Sequence, residues 1–210
     1  MNILSIERST ATVSFAWQND GGEVSSREFS DDRGGGWAVR LREFIADCAG
    51  REGRPQRILV GIGPGSFAGV RAALAFAQGY AAMRPEIEVA GLFSPCASAV
   101  AVASRASVAP VAVVGDARRG LCWVAKFDGL HLTDSLVTLP VEELAAAVPD
   151  RAFVCSPDDS RIGDRLGDVF GERYLGAALP TAAGLLAAAT VNGEWIAREP
   201  LPAYLNPAVR

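Results

Sequence analysis

Gly61-Ile62-Gly63-Pro64-Gly65-Ser66-Phe67 follows a short apolar run, Arg57-Ile58-Leu59-Val60, and opens an alanine-rich stretch. Glycines at a strand-to-helix corner are where many proteins cradle a phosphate, because the helix N-terminus offers free N–H groups and a positive dipole end. A P-loop adds a lysine and a Ser or Thr after its last glycine, and here Ser66-Phe67 stands there instead. A dinucleotide fingerprint spaces its glycines one and then two residues apart, and Gly61, Gly63, Gly65 and Gly69 do not. The nearest cation is Arg71, one turn into the helix. Gly63, Gly65, Ser66 and Arg71 are therefore candidates for an anion site, and the alternative is a corner built for close backbone packing.

A second group with chemical potential is Asp116-Ala117-Arg118-Arg119-Gly120. Two arginines beside a carboxylate can hold a phosphate or polarise a carbonyl, and the same residues also suit a charged hairpin turn. Asp116, Arg118 and Arg119 join the anion-site candidates on that ground. Glu142-Glu143 and Asp158-Asp159 are sequence neighbours that diverge on any regular element, so both pairs are expected on solvated surface. Ser66 lacks the Gly-x-Ser-x-Gly elbow of a nucleophile. His131 is the only histidine, which excludes a histidine-based metal site or a paired-histidine mechanism within the chain. Cys48, Cys96, Cys122 and Cys155 fit no zinc spacing and are expected as small buried hydrophobes in a reducing cytoplasm. No catalytic residue and no metal ligand is assigned.

These groups need a scaffold. With 210 residues, half of them hydrophobic, the chain can form one large or two small domains with a substantial core. A net charge of −4 argues against a protein that grips nucleic acid alone through its own basic surface. Met1 to Glu7 reads as a first strand and not as a signal peptide, and no run is apolar and long enough for a membrane span.

Alternation places strands at residues 2–7, 11–17 and 24–29, with a hairpin turn at Asn19-Asp20-Gly21-Gly22 and a polar break at 31–36. A helix from Trp37 to Ala49 is stopped by Gly50, and a second runs from Phe67 to Met83 after the strand at 58–62. A strand at 87–92, a helix at 95–104 and a seam near 104–109 follow. Beyond the seam come strands at 111–114, 121–127 and 132–139, a helix at 141–148, a strand at 152–155, a helix at 181–189 and an extended stretch at 199–204. This order divides the chain into a lobe at 1–104 and a smaller one at 105–210, whose last segment could pack back on the first.

The 67–83 helix is apolar nearly all round, so most of its faces need cover. One domain's sheet covers a single face, and the small residues elsewhere suit another helix. An interface with a second polypeptide is accordingly expected on this helix, through Gly69, Val70, Ala73, Leu74, Phe76, Ala77 and Tyr80, the alternative being a fully internal helix in a larger core.

Gly63-Pro64-Gly65-Ser66-Phe67-Ala68-Gly69-Val70-Arg71 resembles the GPGSFTGLR signature of the TsaB (YeaZ) family, bacterial proteins of tRNA threonylcarbamoyladenosine biosynthesis. Asp116-Ala117-Arg118-Arg119-Gly120 resembles that family's DARRGEVY hairpin, and Pro202-Ala203-Tyr204-Leu205 its P-x-Y-L-R ending. The resemblance implies an α/β fold of the actin-like, Hsp70-like ATPase class (ribonuclease H-like) with two similar lobes. It also implies a non-catalytic cytoplasmic subunit that organises the catalytic TsaD subunit beside a TsaE-type ATPase, pairing through the first two helices, so that Trp37, Leu41, Phe44, Ile45 and Cys48 of the first join the expected interface. That assembly modifies the adenosine next to the anticodon, so tRNA is met through the complex. ATP and a divalent metal would belong to partner subunits, the isolated chain would pair with itself, and no membrane is involved.

Glu7-Arg8-Ser9 stands where the family has Asp-Thr-Ser, and residues 30–36 lack its His-Ser pair, which marks a divergent member. Two other classes stay open: a small-molecule kinase or ATPase of the same fold, for which Glu7 and Asp116 are the only acidic candidates, and a stand-alone homodimeric binding protein.

Overall fold

The computed structural model describes residues 1–30, 36–106 and 110–205. Most of the polar break expected at 31–36, part of the expected seam, and Asn206 fall outside the described residues. The chain forms two compact units. One comprises Met1–Ser94 with Thr181–Ala203, and the other is built on Pro95–Pro180.

The first unit carries a five-stranded mixed sheet. Strands β1 (Ile3–Glu7), β2 (Thr12–Gln18) and β3 (Val24–Ser30) form an antiparallel meander, and β4 (Arg57–Gly61) and β5 (Glu88–Leu92) extend it in parallel on the other side of β1. The order is β3-β2-β1-β4-β5. Strand alternation sorts the side chains of β1, β2 and β4 onto two faces. Leu4, Ile6, Val13, Phe15, Trp17, Ile58 and Val60 lie on one, where α1 (Trp37–Glu52) and α2 (Phe67–Ala82) join them in a single core. The opposite face is lined by smaller groups, Ser5, Ser14 and Ala16 among them. There α6 (Ala182–Ala189) packs on β2, β1 and β4. Small side chains let that helix approach closely, and Ser14 Oγ accepts the Ala182 N–H at 2.8 Å.

In the second unit the sheet runs β11-β10-β6-β7-β8, with β9 also pairing β7. Strands β6 (Val111–Arg118) and β7 (Leu121–Asp128) form the central hairpin, and β10 (Phe153–Ser156) and β11 (Tyr174–Ala177) add in parallel beside β6. One face is sealed by α4 (Leu144–Ala147) and α5 (Asp159–Phe170) through Leu144, Ile162, Leu166 and Phe170. Helix α3 (Ser94–Ala106) carries the chain from the first unit into the second.

Several boundaries differ from those the sequence suggests. Helix α1 continues through Gly50 to Glu52, and Gly53 ends it, with φ 82° and its N–H on Ala49 O at 3.1 Å. At Gly50 a Cβ would meet nothing within 4 Å, so nothing there forces the helix to stop. The strand expected at 132–139 is broken into β8 (His131–Leu132) and β9 (Val137–Pro140). Thr133 turns both its N–H and its hydroxyl onto Lys126 O, and Asp134 accepts from Ser135 N–H, so local side-chain bonds replace the ladder. At 141–148 a 3₁₀ turn, Val141–Glu143, precedes a single α-turn. Helix α5 and strand β11 were not anticipated. Gly163 and Gly167 mask the Ile162, Leu166, Phe170 stripe, and Gly163 is required because Asp159 and Tyr174 occupy the space its Cβ would take.

Gly115 pairs with Trp123 across the central hairpin, and a Cβ on it would land inside the indole. Gly115→Ala should lower stability by about 1–3 kcal/mol, read by urea unfolding. Gly167→Ala, whose Cβ meets nothing, should raise it by about 0.5–1 kcal/mol.

Candidate functional site

The glycine corner is a packing joint. After β4, Gly63 turns at φ 88°. The β1–β2 turn then presses its main chain into the gaps left by two more glycines. A Cβ on Gly65 would fall on the Ser9 carbonyl, and one on Gly69 on the Arg8 carbonyl. Two of the N–H groups that could have faced a phosphate are already used. Ser66 N–H donates to Ser9 O at 2.6 Å, and Gly63 N–H to Ser94 Oγ at 3.1 Å. Ser66 is the N-cap of α2, its Oγ accepting Gly69 N–H at 3.2 Å and its carbonyl accepting Val70 N–H at 2.9 Å. Arg71 lies over the Phe67 ring, 4.9 Å from its centroid. Gly63, Gly65, Ser66 and Arg71 are thus brought together, with Gly63 and Ser66 hydrogen-bonded to protein groups and Gly65 packed against Ser9.

Glu7 and Arg8, the two departures from the family turn, part company. The Arg8 guanidinium stacks on Trp37, 4.8 Å from the ring centroid. Glu7 is fully buried, and its Oε1 accepts Ser9 N–H at 2.6 Å. Burial pushes its carboxyl above the usual range, outweighing the lowering effect of the Ser9, Ser94 and Arg8 backbone groups beside it.

The helices show why an apolar stripe is not an interface. Trp37, Leu41, Phe44, Ile45 and Cys48 of α1, and Gly69, Val70, Ala73, Leu74 and Ala77 of α2, are all buried within the first unit. They are core residues and offer a partner almost no surface. Only Phe76 and Tyr80 of the expected set keep partial exposure, stacked on each other at 6.1 Å. The opposite face of α2 is open and carries little polarity. Phe67 is 55% exposed and Met83, just past the helix, 80%, with Ala68, Ala75, Gly79 and Ala82 between them and Arg71 and Gln78 alongside. A Cβ on Gly79 would meet nothing within 4 Å. This surface could not be read from the sequence, because a helix apolar nearly all round gives no sign of which face meets the sheet.

In the second unit Asp116 and Arg118 sit at the end of β6 and Arg119 in the hairpin turn. Arg118 and Arg119 both take positive φ, 71° and 55°, which L-residues rarely adopt. Asp116 Oδ1 accepts Arg118 N–H at 2.8 Å, and its Oδ2 meets Arg118 at 3.2 Å and Arg161 at 3.8 Å. Asp158 accepts Asp116 N–H at 3.0 Å and Arg161 at 3.2 Å. Asp158 is therefore part of this network, and Asp159 accepts the Tyr174 hydroxyl at 2.5 Å, so neither is the idle surface residue expected. Desolvation, reinforced by Asp159, raises the Tyr174 phenol. Glu142 and Glu143 are exposed, as expected.

All four cysteines are buried, and none is in a disulfide. Burial pushes the Cys96 thiol up to about 12, and burial with Asp116 nearby pushes Cys122 up to about 11, which leaves both unreactive near neutrality. Among the described residues no group of three His, Cys, Asp or Glu side chains is placed to hold a metal ion, and no helix is long and apolar enough to cross a membrane.

A family model described as TsaD, tRNA N6-adenosine threonylcarbamoyltransferase, matches residues 40–146. No curated protein matches. Among solved structures, an uncharacterized protein with similarity to peptidase YEAZ from Pseudomonas aeruginosa is 24% identical. It superposes with a TM-score of 0.78 over 98% of this chain and 99% of that one. YeaZ from Pseudomonas aeruginosa is 23% identical, with a TM-score of 0.77 over 97% and 100%. The Aquifex aeolicus PPX-GPPA enzyme, 12% identical, reaches 0.50 over 90% and 99%. The chain is YeaZ-like in fold, and its two units of mixed sheet and helices are the α/β architecture expected of the actin-like class.

Gly65→Ala and Gly69→Ala should each cost about 2 kcal/mol or more, because the added methyl meets backbone. Gly79→Ala should gain about 0.5–1 kcal/mol in the isolated chain. Thermal unfolding of the three variants side by side checks the contrast.

Proposed function

The chain belongs to the TsaD family, whose model is described as tRNA N6-adenosine threonylcarbamoyltransferase, and on that premise we propose that it is the non-catalytic, TsaB-type partner subunit of the transferase. It clasps the TsaD-type catalytic subunit for modification of the adenosine next to the anticodon. The observation that carries this reading is the open face of α2. Small residues from Ala68 to Ala82, flanked by exposed Phe67 and Met83, permit a second helix to pack at close range. The same face is self-complementary, so the isolated chain pairs with itself and exchanges that copy for the catalytic subunit. A TsaE-type ATPase joins the assembly, and tRNA is met through the complex.

The chain's own chemistry supports an organising role. Its glycine corner gives Ser66 N–H to the β1–β2 turn and Gly63 N–H to Ser94 Oγ. Glu7, the acidic residue available to a kinase in the first unit, is buried with a raised pKa and so is ill-suited to hold a metal. ATP and a divalent metal are supplied by the partner subunits.

Reconstitution tests the role. The chain is mixed with purified TsaD-type and TsaE-type subunits, tRNA, threonine, bicarbonate and ATP, and the modified base is measured. Modification that requires this chain is the expected result, and full modification without it overturns the proposal. Ala75→Arg and Gly79→Arg place a cation on the open face without touching the core. Each should weaken co-purification with the TsaD-type subunit by about tenfold or more, while the melting temperature of the isolated variant stays close to that of the parent.

A further inference from the structure

We propose that Glu7 remains a neutral carboxylic acid at neutral pH and acts as the positioning residue of the glycine corner, donating its proton toward the Ser94 hydroxyl that holds Gly63. The inference does not depend on what α2 binds.

Glu7 ends β1 on the sheet face that α6 covers, and none of its surface is exposed. Its Oε1 is accounted for by Ser9 N–H, whereas its Oε2 is buried with no hydrogen-bond partner among the described residues. Gly61 makes the room. A Cβ there would fall on the Glu7 carboxyl and come within 2.9 Å of Ser94 Oγ, so the carboxyl and the hydroxyl border the same small space. Ser94 Oγ already accepts Gly63 N–H, and Ser94 N–H returns to Gly63 O at 2.9 Å.

Among the described residues, no charged side chain of a neighbouring element faces the carboxyl. β2 offers Ser14 opposite, β4 offers Gly61, α3 begins with Ser94, and α6 is Ala-Ala-Gly-Leu-Leu-Ala-Ala-Ala. The one cation in the turn, Arg8, lays its guanidinium over Trp37. An ionised carboxylate in such a space has no counter-ion among the described residues. A neutral acid fits it, with one oxygen accepting from Ser9 and the other donating toward Ser94. Desolvation acts in the same direction.

Three segments are thereby joined through one proton: the end of β1, the glycine corner and the start of α3. Because the folded-state pKa lies above the unfolded one, this contribution to stability is complete below the unfolded value, near 4.3. It is lost as pH rises through the raised folded value.

The test is a pH titration of the full chain labelled with ¹³C at glutamate Cδ, the Glu7 signal being assigned through its own backbone. The expected result is a Glu7 carboxyl still protonated at pH 7. Glu7→Gln reproduces the donor and acceptor of the neutral acid, so it should melt at or above the wild type at pH 8 and match it near pH 4. Exchange of the Gly63 and Ser66 amides at pH 8 should be about tenfold slower in Glu7→Gln than in the wild type. A Glu7 signal at the ionised position at pH 7 overturns the proposal, as does a Glu7→Gln variant that melts well below the wild type at pH 8.

Discussion

Two backbone carbonyls, those of Arg8 and Ser9, lie where the Cβ atoms of Gly69 and Gly65 would be. Most of the first unit follows from that contact. It fixes the distance between the β1–β2 turn and the start of α2, and it supplies Ser66 N–H with an acceptor. It also sets the direction in which α2 leaves the sheet. A glycine-rich corner is usually read as an invitation to a phosphate. Here the space that glycine opens is filled by the protein's own main chain, and the corner serves as a joint between two elements. The Ser94–Gly63 pair closes the joint from the other side.

With the start of α2 fixed, the helix has two unlike faces of similar composition. The inner face carries Val70, Ala73, Leu74 and Ala77 into the sheet. The outer face carries Ala68, Ala75, Gly79 and Ala82 into solvent. Both are apolar and small, so hydrophobicity alone cannot separate them. The joint decides which face is spent on folding and which is left in solvent. Phe76 and Tyr80 lie at the boundary, stacked on each other, and Trp37 meets Phe76 edge-on at 5.8 Å.

Elements with strict alternation or a single apolar stripe were legible in the sequence. Thr12–Gln18, Leu121–Asp128 and α1 belong to this class, because burying one face of each requires that pattern. The two-part α/β order was legible for the same reason. Helix α5 was obscured by two glycines, and the 132–139 strand was broken by Thr133 and Asp134 making local bonds that no periodicity reports. At the site, the corner's composition announced a tight turn. Whether a ligand or the chain itself filled it depended on Arg8 and Ser9, more than fifty residues earlier. Most of the residues expected at an interface are buried in the first unit, because an apolar stripe states that a face must be covered and leaves open whether the cover is the same chain's sheet or another molecule. Asp158 joined the Asp116 network through β10 lying beside β6, a fact of topology that adjacency in sequence hides.

The first unit is discontinuous in sequence. Its sheet is complete by Leu92, yet the helix that covers one side of it spans Ala182–Ala189, tied to β2 by a hydrogen bond across 168 positions. During synthesis the exposed side of that sheet must wait while the whole second unit is made. Contacts of such long range are slow to form, and a waiting apolar surface is a hazard for a growing chain. The small, partly polar lining of that side, with Ser5, Glu7 and Ser14 among the alanines and leucines, makes the wait less dangerous than a wall of large aliphatics would. The groups that let α6 nestle closely at the end thus also make the sheet less adhesive before α6 arrives.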